Sequence, residues 1–327
     1  MKAFLSIFVV SALLISCHAG DPHLGMRAGV GGELLNAARE GNLDKIKKAL
    51  KENADIEIRD DNDETEYDDT GYTPLHHACE QGHGKVAKLL IDEGGDVNKP
   101  TFRRGRTPLH YACMEGHLGI VKLLEAKGAD MKKKAEKGGT PMHYAAAAGC
   151  LAIVEYLHSL GLAINTRDQD GATPLHSAAG QGHWPVVQYL HGRGLSLGQQ
   201  SRSGMTPLHY AVLRNQKEVA TFLTSVANVD SFIDFQADEG STALHFAASL
   251  GYQELVEVLL AAGADATITN KKGATPLARA QQKKHDAIVT LLKEAMSQKK
   301  DSYKQGNSLP PTFHTPQKRP RRTVRNH

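Results

Sequence analysis

Seventeen histidines and four cysteines stand in this chain of 327 residues, enough in principle for metal binding or thiol chemistry. Six of the histidines, His76, His110, His143, His176, His209 and His245, recur at intervals of 33 to 36 residues. Cys79 and Cys113 each follow one of these histidines by three positions. Zinc needs its ligands about 2 Å from one centre, whereas successive packed helices stand about 8 to 10 Å apart. A histidine repeated once per unit therefore makes a row and not a cage, and no metal site is expected. A cysteine nucleophile needs a base within hydrogen-bond reach and a group that orients the base. Cys79 with His76 or His83 is the nearest candidate, but Cys113 has the same neighbours, and a duplicated arrangement points to packing. The spacing also exceeds the roughly 7 Å limit between Cα atoms of a disulfide, so both thiols should be free. Cys150 replaces a histidine found elsewhere as His83, His117 and His183. No phosphate loop or paired-carboxylate site is present. The acidic run from Asp60 to Asp69 lacks the glycine and terminal glutamate of an EF-hand loop. No catalytic residue, cofactor or small-molecule substrate is therefore expected.

The elements that carry these residues are themselves periodic. Thr-Pro-Leu-His or a near copy begins at Thr73, Thr107, Thr140, Thr173, Thr206, Thr242 and Thr275, and a glycine precedes each threonine by two residues. In the copy at 171–203, Thr173 can cap a helix through its hydroxyl, and Pro174 takes the first helical position, where its missing N–H costs nothing. Leu175, Ala178 and Ala179 form a narrow apolar face. Gly182 ends the helix in the left-handed region, Pro185 opens a second helix carrying Val186, Val187, Tyr189 and Leu190, and Gly194 closes it. About 33 residues hold one turn and two helices but no self-sufficient core, so the units must stack.

The pattern Gly-x-Thr-Pro-Leu-His-x-Ala, followed by Gly-His and Gly-Ala-Asp, resembles the ankyrin repeat. The resemblance implies an all-α solenoid of about eight stacked helix-turn-helix units with projecting β-turn fingers. The repeats are expected at 32–70, 71–104, 105–137, 138–170, 171–203, 204–239, 240–272 and 273–297. The first lacks Thr-Pro-Leu-His and the last has a polar helix, Gln281 to Lys284, as befits two caps. Ankyrin arrays bind proteins through finger tips and inner helices. Carried across, the resemblance makes Arg103, Arg104, Arg106, Lys137, Asp170, Arg202, Met205 and Lys271 finger candidates. It makes Met114, Glu115, Leu213, Arg214 and Leu250 inner-helix candidates. Met114, Leu213 and Leu250 stand out as apolar groups at otherwise polar variable positions. The expected partner is an unidentified protein, bound by a non-enzymatic, monomeric scaffold.

Departures from the repeat are informative. The acidic run adds about eight residues to the first finger and reads as a solvated insertion or a dock for a basic partner. Between Ser225 and Glu239 three residues are added and Gly-Ala-Asp is lost, so a local distortion is expected. At the N-terminus, Met1-Lys2 and an apolar run from Ala3 to Ile15 have the layout of a signal peptide, 1–19, before a linker at 20–31. That run is too short to span a bilayer. It predicts a secreted protein; lipidation at Cys17 and an uncleaved N-terminus are the alternatives. The tail from 298 to 327 holds eight Lys/Arg against one acidic residue, while residues 1–297 hold 31 against 35. With Pro310, Pro311 and Pro316 it is expected to be disordered. Its segment 318–325 fits a solubilising tail, nuclear import or polyanion contact, and no aromatic interleaving favours nucleic acid. An intracellular adaptor or enzyme inhibitor, cytoplasmic or nuclear, is the alternative function.

Overall fold

The computed structural model describes residues 29–60, 69–226 and 232–304, with side chains through 298. The apolar N-terminal run, residues 61–68, residues 227–231 and the basic segment from 305 onward lie outside the described residues, as do the expectations that fall on them.

Two compact units divide at Arg202 and Ser203. The first holds α1 (Val30–Glu40), α2 (Leu43–Lys51), α3 (Pro74–Glu80), α4 (Gly84–Asp92), α5 (Pro108–Met114), α6 (Leu118–Ala126), α7 (Pro141–Ala147), α8 (Leu151–Ser159), α9 (Pro174–Gln181) and α10 (Trp184–Gly192). The second holds α11 (Pro207–Leu213), α12 (Lys217–Ser225), α13 (Ala243–Leu250), α14 (Gln253–Ala261), α15 (Pro276–Lys283) and α16 (Asp286–Lys304). Sixteen helices and no strand occur among the described residues. Within each unit the odd-numbered helices pack on one another, and each packs on the helix that follows it. Alanine makes this approach possible: Ala78, Ala112, Ala145, Ala178, Ala211 and Ala247 are fully buried between successive inner helices. Val86, Val121, Val154, Val187, Val219 and Val256 or their neighbours fill the layer between inner and outer helices.

Fingers join side by side through single backbone bonds. Phe102 N–H donates to Thr70 O at 2.8 Å, Glu136 to Arg104 at 2.7 Å, Gln169 to Lys137 at 3.0 Å and Arg202 to Asp170 at 2.9 Å. In the second unit Asp238 donates to Ser203 at 2.9 Å and Lys271 to Glu239 at 3.0 Å. One bond per junction fixes the tips without building a strand ladder. Gly171 shows why glycine precedes each cap: its φ is 71°, and a Cβ there would lie 2.9 Å from Arg202 N.

Both outer boundaries differ from the expected ones. Helix α1 starts at Val30, two residues early, and α16 runs to Lys304, past the expected end of the array at 297. Ile288 and Leu292 anchor α16 in the core, and no glycine or proline interrupts the sequence until Gly306, so the helix propagates. The distorted segment leaves α12 extended at Val226 (φ −75°, ψ 152°), with no glycine cap, and returns to the core through buried Phe232 and Ile233.

Candidate functional site

The histidine row comes first because its chemistry is the most suggestive. Each of the six is buried at the third helical position, with its ring turned back on its own capping threonine. The threonine N–H lies 3.1 to 3.2 Å from Nδ1, and the threonine Oγ1 2.9 Å away. An amide can only donate, so Nδ1 accepts and the ring proton sits on Nε2. Nε2 then donates to a carbonyl of the next finger: His76 to Arg106 at 3.2 Å, His110 to Lys133 at 3.1 Å, His143 to Ala172 at 3.2 Å and His176 to Gln199 at 3.1 Å. In the second unit His209 donates to Ser241 at 3.3 Å and His245 to Ala274 at 3.0 Å. Every ring nitrogen is used, and each histidine pins one helix start to the following finger. Burial pushes His76 down to about 3 and His110, His143 and His209 down to about 4. Burial thus keeps these four rings neutral near pH 7, as structural pins.

A second histidine row covers glycine turns. The ring of His83 lies where a Cβ on Gly41 would be, and that of His117 where one on Gly82 would be. Their Nε2 atoms donate to Arg39 O and Glu80 O, both at 3.0 Å. Cys79 and Cys113 are free and buried, and burial pushes both thiols up, so neither supplies a thiolate. Among the described residues no group of three or more His, Cys, Asp or Glu could hold a metal ion.

The first finger contains the densest polar cluster, and the sequence did not announce it. Asp69 Oδ2 accepts from Thr101 Oγ1 at 2.7 Å and from the fully buried Tyr111 hydroxyl at 2.5 Å, while Oδ1 accepts from Arg104 N–H at 3.1 Å. Asp60 Oδ1 accepts from Gly71 and Tyr72 N–H at 3.1 and 2.7 Å. Both ends of the acidic run are thus built into the stack, which corrects the reading of the whole run as a solvated insertion; residues 61–68 lie outside the described residues. A further staple bridges fingers from a residue six positions before the capping threonine in two repeats, and fourteen before it at Arg59, where the insertion intervenes. Arg167 Nη1 donates to Gly171 O and Gln200 O, Gln236 Nε2 to Gly240 O and Thr269 O, and Arg59 Nη1 to Gly71 O and Pro100 O.

In the first unit Arg103, Glu115, Lys137, Asp170 and Arg202 are exposed, while Arg104 and Met114 are half-buried. In the second unit Lys271 is exposed, Leu250 is 41 % exposed, and Leu213 and Arg214 are half-buried. Two finger candidates are misplaced. Arg106 and Met205 stand immediately before a capping threonine, a position that points under the finger. Met205 is buried like Ala172 at the same position. The Arg106 guanidinium lies over the Tyr144 ring at 4.9 Å, and its Nε donates to the Tyr144 hydroxyl at 3.2 Å. Both belong to the packing and not to a tip.

A family model described as "Ankyrin repeats (3 copies)" matches residues 34–135, 123–201, 142–233 and 229–303, which together cover most of the chain. The chain belongs to the ankyrin-repeat family. Single stretches of the ankyrin array resemble curated proteins. Over 63 residues it is 41% identical to "Protein phosphatase 1 regulatory subunit 27" of Mus musculus, covering 19% of this chain and 36% of that protein. Over 67 residues it is 37% identical to "Ankyrin repeat and SOCS box protein 3" of Homo sapiens, covering 20% and 13%. Over 68 residues it is 38% identical to "Oxysterol-binding protein-related protein 1" of Rattus norvegicus, covering 20% and 7%. The chain therefore spans only a minor part of each of these relatives. Among the described residues of this ankyrin chain, no helix is long and apolar enough to cross a membrane.

Proposed function

We propose that the chain is a non-enzymatic scaffold that binds a protein partner through its finger tips and inner-helix ends. One observation carries this reading: the threonines, histidines and alanines that repeat are buried, while the finger-tip residues that vary between repeats are exposed. Thr107, His110, Ala112 and their counterparts are spent on packing, whereas the exposed position of Arg103 and Arg202 is Glu136, Gln169, Asp238 or Lys271 in other repeats, and Glu115, Lys137 and Asp170 also have counterparts of other types. A surface whose residues vary along a regular frame suits recognition of one partner. The test is capture of a partner from the native compartment by the full chain and by a variant combining Met114→Arg with Lys137→Glu. Retention by the unaltered chain and loss by the variant, at unchanged thermal stability, supports the reading; equal retention counts against it.

The signal-like run at 3–15 supports entry into the secretory pathway as part of this proposal. Mass spectrometry of the native N-terminus tests it, with a mature start near Gly20 expected and an intact Met1 counting against export. The basic segment 318–325 favours a second reading, an intracellular adaptor or enzyme inhibitor. Similarity to a protein named as a regulatory subunit of protein phosphatase 1 supports that second reading.

A further inference from the structure

The first finger receives its eight extra residues between two anchor points that recur in another repeat of the chain. Where the fourth repeat meets the fifth, Asp168 N–H donates to Ala172 O at 3.0 Å, and Gly171 N–H to Asp168 O at 3.1 Å. Asp60 and Tyr72 make the same pair at 3.0 Å, and Gly71 and Asp60 at 3.2 Å, with residues 61–68 falling between. The Asp60 side chain repeats the theme: Oδ1 accepts turn amides as Asp168 Oδ1 and Asn270 Oδ1 do in their turns. What differs is the other oxygen. Asp60 Oδ2 lies 3.0 Å from Nε2 of His77, whose side chain is 4% exposed on α3 and stacked on the Tyr72 ring at 5.1 Å.

His77 Nδ1 is buried without a hydrogen-bond partner, and its nearest charged neighbour is Glu80 Oε2 at 3.9 Å. A neutral ring that donates from Nε2 to Asp60 leaves Nδ1 as a bare lone pair beside a second carboxylate. A proton on Nδ1 removes that conflict and sets one positive ring between two carboxylates. We propose that His77, Asp60 and Glu80 form a proton-operated clamp that ties the base of the first finger to α3 as an ion pair with two carboxylates when His77 is protonated, and that loosens to the lone Nε2–H bond to Asp60 when the proton leaves. Through Phe102 N–H on Thr70 O and Arg104 N–H on Asp69, the clamped turn also braces the second finger.

The other groups facing the ring agree with this assignment. Burial opposes the proton, and so, more weakly, does Arg39 of α1, but the Asp60 bond and the Glu80 carboxylate outweigh both and hold His77 above the ordinary histidine value. At 3.9 Å Glu80 acts as an ion-pair neighbour, so the Asp60 bond carries the direction. The adjacent His76 is a neutral pin, and the Tyr72 ring covers the face of His77. Because the folded value of His77 lies above its unfolded one, its contribution is complete below about 6.5 and is lost as pH rises through the folded value. Asp60 is held below the ordinary carboxylate value despite burial, chiefly by His77, so its share is lost as pH falls through that lowered value. The clamp is closed between the two, and it stands whether or not the fingers bind a protein.

Hydrogen–deuterium exchange of the full chain from pH 6 to pH 9, read at the Gly71 and Tyr72 amides and corrected for intrinsic exchange, tests the clamp. Corrected protection is expected to fall about tenfold or more in the unaltered chain. His77→Tyr, which installs the residue type found at this position as Tyr111 and Tyr144, should abolish the fall. Asp60→Asn keeps the Oδ1 acceptor and should move the midpoint to lower pH. Flat protection in the unaltered chain, or an equal fall in His77→Tyr, overturns the proposal. Should His77→Tyr not fold, the Asp60→Asn midpoint decides, and an unshifted midpoint overturns the clamp.

Discussion

Lowering the pH from 7 to 5 should strip stability from this array in steps set by its histidine pins. His110 and His143 titrate near 4 in the folded chain, and His76 near 3, because burial excludes the charged ring and Nδ1 is committed to accepting from threonine. In the unfolded chain each returns to about 6.5. A folded value below the unfolded one means that the contribution is present above 6.5 and is lost as pH falls toward the folded value. At 1.36 kcal/mol per pH unit, each pin loses about 2 kcal/mol by pH 5. Three pins in the first unit lose about 6 kcal/mol together, against a typical domain stability of about 5–15 kcal/mol. His209 adds about 2 kcal/mol of loss in the second unit. Thermal unfolding followed by far-ultraviolet circular dichroism at pH 7, 6 and 5 reads the effect. A midpoint that drops progressively, with the first unit failing at less acid pH, is expected; an unchanged midpoint across this range would refute the assignment of the row as neutral pins.

Three further outcomes follow from the geometry. Gly171→Val forces a β-branched residue to a φ of 71° with its Cβ 2.9 Å from Arg202 N, and should cost about 2 kcal/mol or more in urea unfolding. Asp69→Ala strands the buried Tyr111 hydroxyl and frees Arg104 N–H, and should cost about 1–3 kcal/mol by the same measurement. Thiol labelling mapped by mass spectrometry should reach half-exposed Cys150 in the folded chain and Cys79 and Cys113 only on unfolding; early labelling of Cys79 contradicts its burial.

The repeat frame was legible because each of its positions answers to one dominant local demand. Thr173 caps, Pro174 needs no N–H, His176 closes the capping box and Gly182 takes the left-handed turn, all within ten residues. Free Cys79 and Cys113, and the histidines as structural parts, followed from the period alone. Contacts between residues of different type far apart in the chain stayed hidden. Asp69 meets Thr101, Arg104 and Tyr111 at separations of 32 to 42 residues, and none of the four recurs as a set. The direction of the residue before the threonine was hidden too, because Arg106 and Met205 have polar or flexible side chains that by type alone suit a tip as well as the space beneath the finger. Arg59 had a readable signal, since it falls six positions before its threonine once the eight inserted residues are removed, as Arg167 and Gln236 do.

Parallel binding and unfolding of two full-length variants tests the central division of labour most directly. Met114→Arg with Lys137→Glu alters what varies, and His110→Ala alters what repeats. The account predicts that the first variant loses the captured partner while its thermal midpoint holds, and that the second loses thermal stability. A surface variant that binds its partner as tightly as the unaltered chain, or a His110→Ala chain with an unchanged midpoint, would contradict it.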